Sequence, residues 1–201
     1  MTNGRRLARS ALLFLGIVLL GAVPHPWAAP VLNRVEVALV DGGLSCFEFG
    51  KGGRARVAPL AGVSRGPGDN VDADALLLLS VAGFDGDLPF GISLRRDVFL
   101  PWLILAAVLA AAPISRIVRL FSPLLAALIV GPASVGAYAL LSMWTFTTQV
   151  RGVYTASPAA LRFTEFAYGA LLVPPGNRFI APLGVGLLIV FLDRRRRSAL
   201  R

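Results

Sequence analysis

Two uncharged runs dominate the hydropathy pattern: Val98–Ile114 has no charged residue in 17 positions, and Leu120–Val150 has none in 31. A helix rises about 1.5 Å per residue and ~20 apolar residues cross a ~30 Å hydrocarbon layer, so both runs are read as transmembrane helices forming a hairpin. The turn between them, SRIVRLFSP, carries Arg116 and Arg119 and no acid, which places it on the cytoplasmic side. Ser122 and Pro123 supply an N-cap and first-turn pair for the second helix.

The rest of the chain is oriented from this hairpin. Arg5, Arg6 and Arg9 precede the apolar run Ala11–Val23, which predicts an N-terminal anchor over residues 1–29; Pro30 directly after the small pair Ala28–Ala29 disfavours cleavage there. Between residues 30 and 97 the pattern changes to short alternating runs: VLNRVEVALV, GLSCFEFG, RARVAPL, ALLLLSVAG and ISLRRDV, separated by glycine-rich turns. That is the pattern of about five strands. The hairpin opens a third region, residues 98–201. Within it, Ser157–Pro158 starts an expected helix in an outer amphipathic segment of about 151–178, stopped by Val173–Pro174–Pro175–Gly176, with Arg162 and Glu165 spaced to pair; it is either an interfacial helix or the outer part of a broken last span. A last apolar run, Phe179–Leu192, ends at Asp193 and the arginines 194–197. The expected fold class is therefore membrane α-helical, with four transmembrane helices and a small extracytoplasmic β-rich domain.

Composition supports a membrane class: 56% of the 201 residues are hydrophobic and the mean hydropathy is +0.71. The net charge of +9 does not point to nucleic acid, because the basic clusters flank apolar runs rather than forming a stripe with interleaved aromatics. Nine of the eleven acids lie within residues 30–97, consistent with an outer location for that domain. The arginines before the first run, in the hairpin turn and after the last run mark the cytoplasmic side. Both termini are thus expected in the cytoplasm.

Candidate chemistry is sparse. Cys46 and His25 are the single residues of their kinds, and with Arg54 or Arg95 they could compose a thiol-peptidase set, since a thiolate needs a neighbouring base or positive charge. Cys46 sits in SCFEF, where a small buried role is the simpler expectation. One His and one Cys cannot build a soft-metal site. The acidic loop Asp69–Asn70–Val71–Asp72–Ala73–Asp74 could face a hard cation, but it has neither the glycine nor the distant glutamate of an EF-hand loop. No phosphate- or dinucleotide-binding glycine motif occurs. No catalytic, metal or cofactor residue is therefore assigned. Ala127, Gly131, Gly136, Gly184 and Gly186 are placed for close helix packing, within the molecule or against another membrane protein.

The segment ISLRRDVFLPWLILAAVLAAAP, the basic turn and proline-initiated helix after it, and the closing FTEFAYGALLVPPGNRFIAPLGVGLLIVFLDRRRR together resemble the small membrane proteins associated with exosortase H. That resemblance implies an N-terminal anchor, an extracytoplasmic β-like segment and a terminal helical group. It also implies a role assisting a membrane enzyme that processes C-terminal sorting signals. It supplies no catalytic motif. The expected function is non-enzymatic: an inner-membrane accessory protein whose outer domain meets another integral membrane protein. The other classes are a thiol peptidase using Cys46 and an envelope sensor.

Overall fold

The structure, a computed structural model, describes residues 3–22, 29–50, 52–60, 73–81, 86–148, 157–172 and 179–199. Seven α-helices and three strands follow in the order α1 (Asn3–Ala22), α2 (Ala29–Leu44), β1 (Arg54–Pro59), β2 (Ala75–Ser80), β3 (Leu88–Ile92), a π-helical turn (Arg95–Phe99), α3 (Leu100–Ala111), α4 (Arg116–Leu120), α5 (Ser122–Thr148), α6 (Pro158–Leu172) and α7 (Ala181–Ala199).

The alternating stretch Val31–Val40 is a helix, not a strand. Its inward positions are Asn33, Glu36, Val37, Val40, Asp41 and Leu44, the i, i+3, i+4 stripe of an amphipathic helix. Valines and leucines fall on both faces of the alternating pattern, so helix and strand readings compete locally, and packing against β1 and α5 decides for the helix. Two side-chain bonds fix it there: Asp41 Oδ1 accepts from the Val57 N–H at 2.8 Å, and Asn33 Nδ2 donates to the Asp74 carbonyl at 3.1 Å. Among the described residues the expected five strands reduce to three, with GLSCFEFG contributing one isolated bridge between Phe49 and Gly53.

The sheet is antiparallel in the order β1-β2-β3, with Val57 opposite Leu77 and Leu77 opposite Phe90. Central β2 (ALLLLS) is buried at four of its six positions, as a strand covered on both faces should be. One core joins Val57, Leu77 and Leu79 of the sheet to Val40 and Leu44 of α2 and to Tyr138, Ala139 and Phe146 of α5. A second core lies at the other end of α5, where Leu105, Leu109 and Ile114 meet Ala126 and Val130, with Val185 and Ile189 of α7 packed against them. Thus α5 is the shared beam, with its second half under the sheet and its first half among helices. Its hydroxyls are satisfied locally: Ser142, Thr145, Thr147 and Thr148 each donate to the carbonyl four residues earlier.

The four-span expectation is corrected. Among the described residues one helix, α5, is long and apolar enough to cross a membrane. Apolar runs of near-spanning length do not yield helices of that length. Helix α3, which continues directly from the charged π-helical turn, has 12 residues, about 18 Å; the apolar part of α1 is Ala8–Gly21; and α7 ends in charged residues from Asp193 onward. The fold class is mostly helical with a small three-stranded sheet. The hairpin turn is itself a short helix, α4, capped by Ser115 Oγ accepting from the Val118 N–H at 3.4 Å. Ser157 does cap α6, its Oγ accepting from the Ala160 N–H at 3.2 Å.

Close helix contacts rest on particular glycines. A Cβ at Gly186 would stand 2.7 Å from Val108 Cγ1, whereas one at Gly184 would meet nothing within 4 Å. We expect Gly186→Ala to lower stability by about 1–3 kcal/mol through overpacking. Gly184→Ala should be neutral or stabilising by up to ~1 kcal/mol from helix propensity. Thermal unfolding of the two variants in mild detergent checks the contrast; equal effects would show that α7 does not pack on α3 in this register.

Candidate functional site

The inward stripe of α2 delivers polar atoms to a place where the other packed elements also deliver them. Glu36 is 9% exposed, the most enclosed charged residue described. Asp74, just ahead of β2, turns its carboxylate onto the start of the π-helical turn, with Oδ1 accepting from the Leu94 N–H at 2.7 Å and Oδ2 from the Arg95 N–H at 2.9 Å. This is an anion at the amino end of a helical segment, where unpaired N–H groups point outward. Within the turn, Asp97 Oδ2 accepts from the Tyr138 hydroxyl at 3.2 Å, and its carbonyl accepts from Ser134 Oγ at 3.5 Å. Glu36, Asp74 and Asp97 all act electrostatically on Tyr138. Three acids from three elements thus surround one phenol on α5.

The acids differ in what holds them. Asp74 is raised above the usual carboxylate range by burial, opposed by its two backbone N–H donors and by Arg95. Glu36 has no hydrogen-bond partner among the described residues. Burial first and Asp74 second push its carboxyl from 4.5 up to about 7, with Arg95 pulling the other way. Near neutral pH it therefore both holds and releases a proton. Its side chain forms the polar point in the wall of a cavity of about 270 Å³ between α2, the start of α3 and α5, otherwise bounded by such residues as Leu39, Val98, Trp102 and Val130. Trp102 is fixed there by its Nε1 donating to the Pro123 carbonyl at 2.9 Å.

The residues singled out in the sequence are placed differently. Cys46 is exposed, not buried as expected, and its sulfur lies 3.8 Å from the Gly42 carbonyl. Arg54 is on β1, lining a pocket with Ser45, Phe47 and Glu48 beside Cys46, and Arg95 is on the π-helical turn; His25 lies outside the described residues. So do residues 69–72 of the acidic loop; Asp74 at its end is occupied by backbone donors. No group of three metal-ligating side chains occurs among the described residues. Gly186 and Gly131 pack inside the molecule against Val108 and Leu39, Ala127 lines the cavity, and Gly136 and Gly184 face open space. The Glu36–Asp74–Asp97–Tyr138 group was missed because a strand reading of Val31–Val40 leaves Glu36 on a wet face. The signal was the helical spacing Asn33, Glu36, Val37, Val40.

No family model, curated protein or solved structure matches the chain.

Glu36 makes stability fall as pH rises. Its folded pKa exceeds its unfolded one, so the folded state binds more proton than the unfolded chain between about 4.5 and 7; stability falls as pH rises through that range and levels off above it. The effect is at most about 3 kcal/mol. Denaturant titrations from pH 5 to 8 should show wild type losing stability toward pH 8, and Glu36→Gln should remove most of that slope. A slope unchanged by the substitution would place the titrating group elsewhere.

Proposed function

We propose that this chain is a non-enzymatic accessory protein of the bacterial inner membrane, holding its sheet unit against the bilayer for contact with another integral membrane protein. The observation that carries the reading is the exposed apolar surface of the helices. Leu12 and Leu20 of α1, Leu124 and Leu128 of α5, and Leu187 and Phe191 of α7 are all exposed. A soluble monomer rarely leaves so many large apolar side chains of its helices to water, and a bilayer covers them without cost. Exposed arginines 194–196 at the end of α7 and Arg116 and Arg119 on α4 suit anionic headgroups. The likeness of the closing segment to exosortase H-associated proteins makes an exosortase-type sorting enzyme the first partner to test. An envelope sensor is the second reading, favoured by a buried carboxyl that titrates near neutral pH.

The tagged chain should stay in the membrane pellet after high-salt and alkaline washes; release by salt alone would overturn the membrane reading. Mild-detergent capture should recover the sorting enzyme. Leu88→Lys, an exposed position on edge strand β3, should cut that recovery at least tenfold while membrane retention is unchanged. Recovery of no integral membrane partner would remove the accessory role, and a response to envelope pH without any partner would favour the sensor.

A further inference from the structure

We propose that the Glu36 cavity binds a lipophilic primary amine, a single alkyl chain ending in an ammonium group. This goes beyond the accessory reading and stands or falls independently of it, since it concerns a small molecule rather than the partner of the sheet unit.

The chemistry follows from the walls. The cavity is about 270 Å³, well above the ~150 Å³ that suffices to hold a benzene ring in an apolar protein cavity. Its lining is aliphatic and aromatic apart from Glu36, and Leu32, Val35, Leu39 and Ala127 at its rim are exposed, so an alkyl chain can enter from the apolar surface. Glu36 is more than nine-tenths enclosed and lacks a hydrogen-bond partner among the described residues. A buried carboxylate facing apolar walls demands a donor or a counter-charge. The groups facing it do not supply enough. Asp74, ahead of β2, is another acid, and Arg95 of the π-helical turn is shared between Glu36 and Asp74. Tyr138 of α5 is turned to Asp97, while Arg34 on Glu36's own helix is exposed. A neutral alcohol fills the volume but leaves the negative charge uncompensated. An ammonium supplies three donors and the missing charge at once.

The test uses n-octylamine and n-octanol as probes on the purified full chain in detergent, with dissociation constants from saturation-transfer NMR at pH 6 and pH 8. The amine, like a lysine side chain with its pKa of ~10.4, is charged at both. Glu36, titrating at about 7, is mainly ionised only at the higher pH. Octylamine should bind about tenfold more tightly at pH 8 than at pH 6, and octanol should show no such change. Glu36→Gln should abolish the pH dependence and weaken octylamine about tenfold at pH 8; the difference between wild type and variant cancels partition into micelles. Ala127→Phe, which fills the cavity without touching Glu36, should weaken both probes. Equal pH profiles for amine and alcohol, a pH dependence unchanged by Glu36→Gln, or unweakened binding of both probes to Ala127→Phe would overturn the assignment. If Glu36→Gln fails to fold, the wild-type amine–alcohol comparison and Ala127→Phe still decide it.

Discussion

The structure depends on a polar stripe being buried. Helix α2 turns Asn33, Glu36 and Asp41 inward, and two of these bond to the sheet region: Asp41 accepts from the Val57 N–H and Asn33 Nδ2 donates to the Asp74 carbonyl, while Asn33 Oδ1 is buried without a partner among the described residues. Asp74 in turn holds the first two N–H groups of the π-helical turn, and Asp97 of that turn meets Tyr138 on α5. The bonds form a relay from α2 through the edge of the sheet to the longest helix. Each such bond contributes only about 1 kcal/mol net, but stranding a buried partner costs ~1–3 kcal/mol. Hydrophobic contact alone would tolerate a slip of α2 along α5; these donors and acceptors do not. Directional groups therefore set the register in which the apolar residues pack.

Much of this was legible and some was not. That two helices flank the basic turn at Arg116 and Arg119, though not that both have spanning length, and that Ser157 caps α6 are visible because each depends on neighbours in sequence. Where the reading failed, distant contacts decided the outcome. Val31–Val40 has apolar residues on both faces of an alternating pattern, so its period is ambiguous until β1 and α5 are placed beside it. Span number failed for a different reason. Counting uncharged residues between arginines overlooks how the helix is built: Val98 and Phe99 belong to the π-helical turn, α3 continues from it for 12 residues, and Pro113 follows its end. In α7 the charged tail is helical too, so helix length exceeds apolar length.

The acidic site was illegible for the same reason as α2. Glu36 reads as an ordinary outer-domain acid among nine within residues 30–97, and nothing local distinguishes it. Its enclosure arises only when α2 is a helix and the π-helical turn brings Arg95 and Asp97 alongside. The π turn is itself the kind of irregularity that accompanies functional positions in helices, and here it does identifiable work, since a regular turn would place Asp97 elsewhere relative to Tyr138.

A leucine or methionine at position 36 would continue the apolar wall formed by Leu32, Val35 and Leu39 and would avoid the desolvation that raises the Glu36 carboxyl to about 7. Buried ionisable groups of this kind are often replaceable by apolar residues at no loss, or at a gain, in stability. Asp74 and Asp97 differ, because the backbone of the π turn and the Tyr138 hydroxyl are bonded to them and their removal would strand donors. Glu36 has no such dependants among the described residues. A carboxyl that weakens the fold as it ionises, serves no structural partner and faces a cavity open to the apolar surface is explained by what it meets in that cavity. Its position therefore argues for a ligand, and its charge favours one that carries both donors and a positive charge.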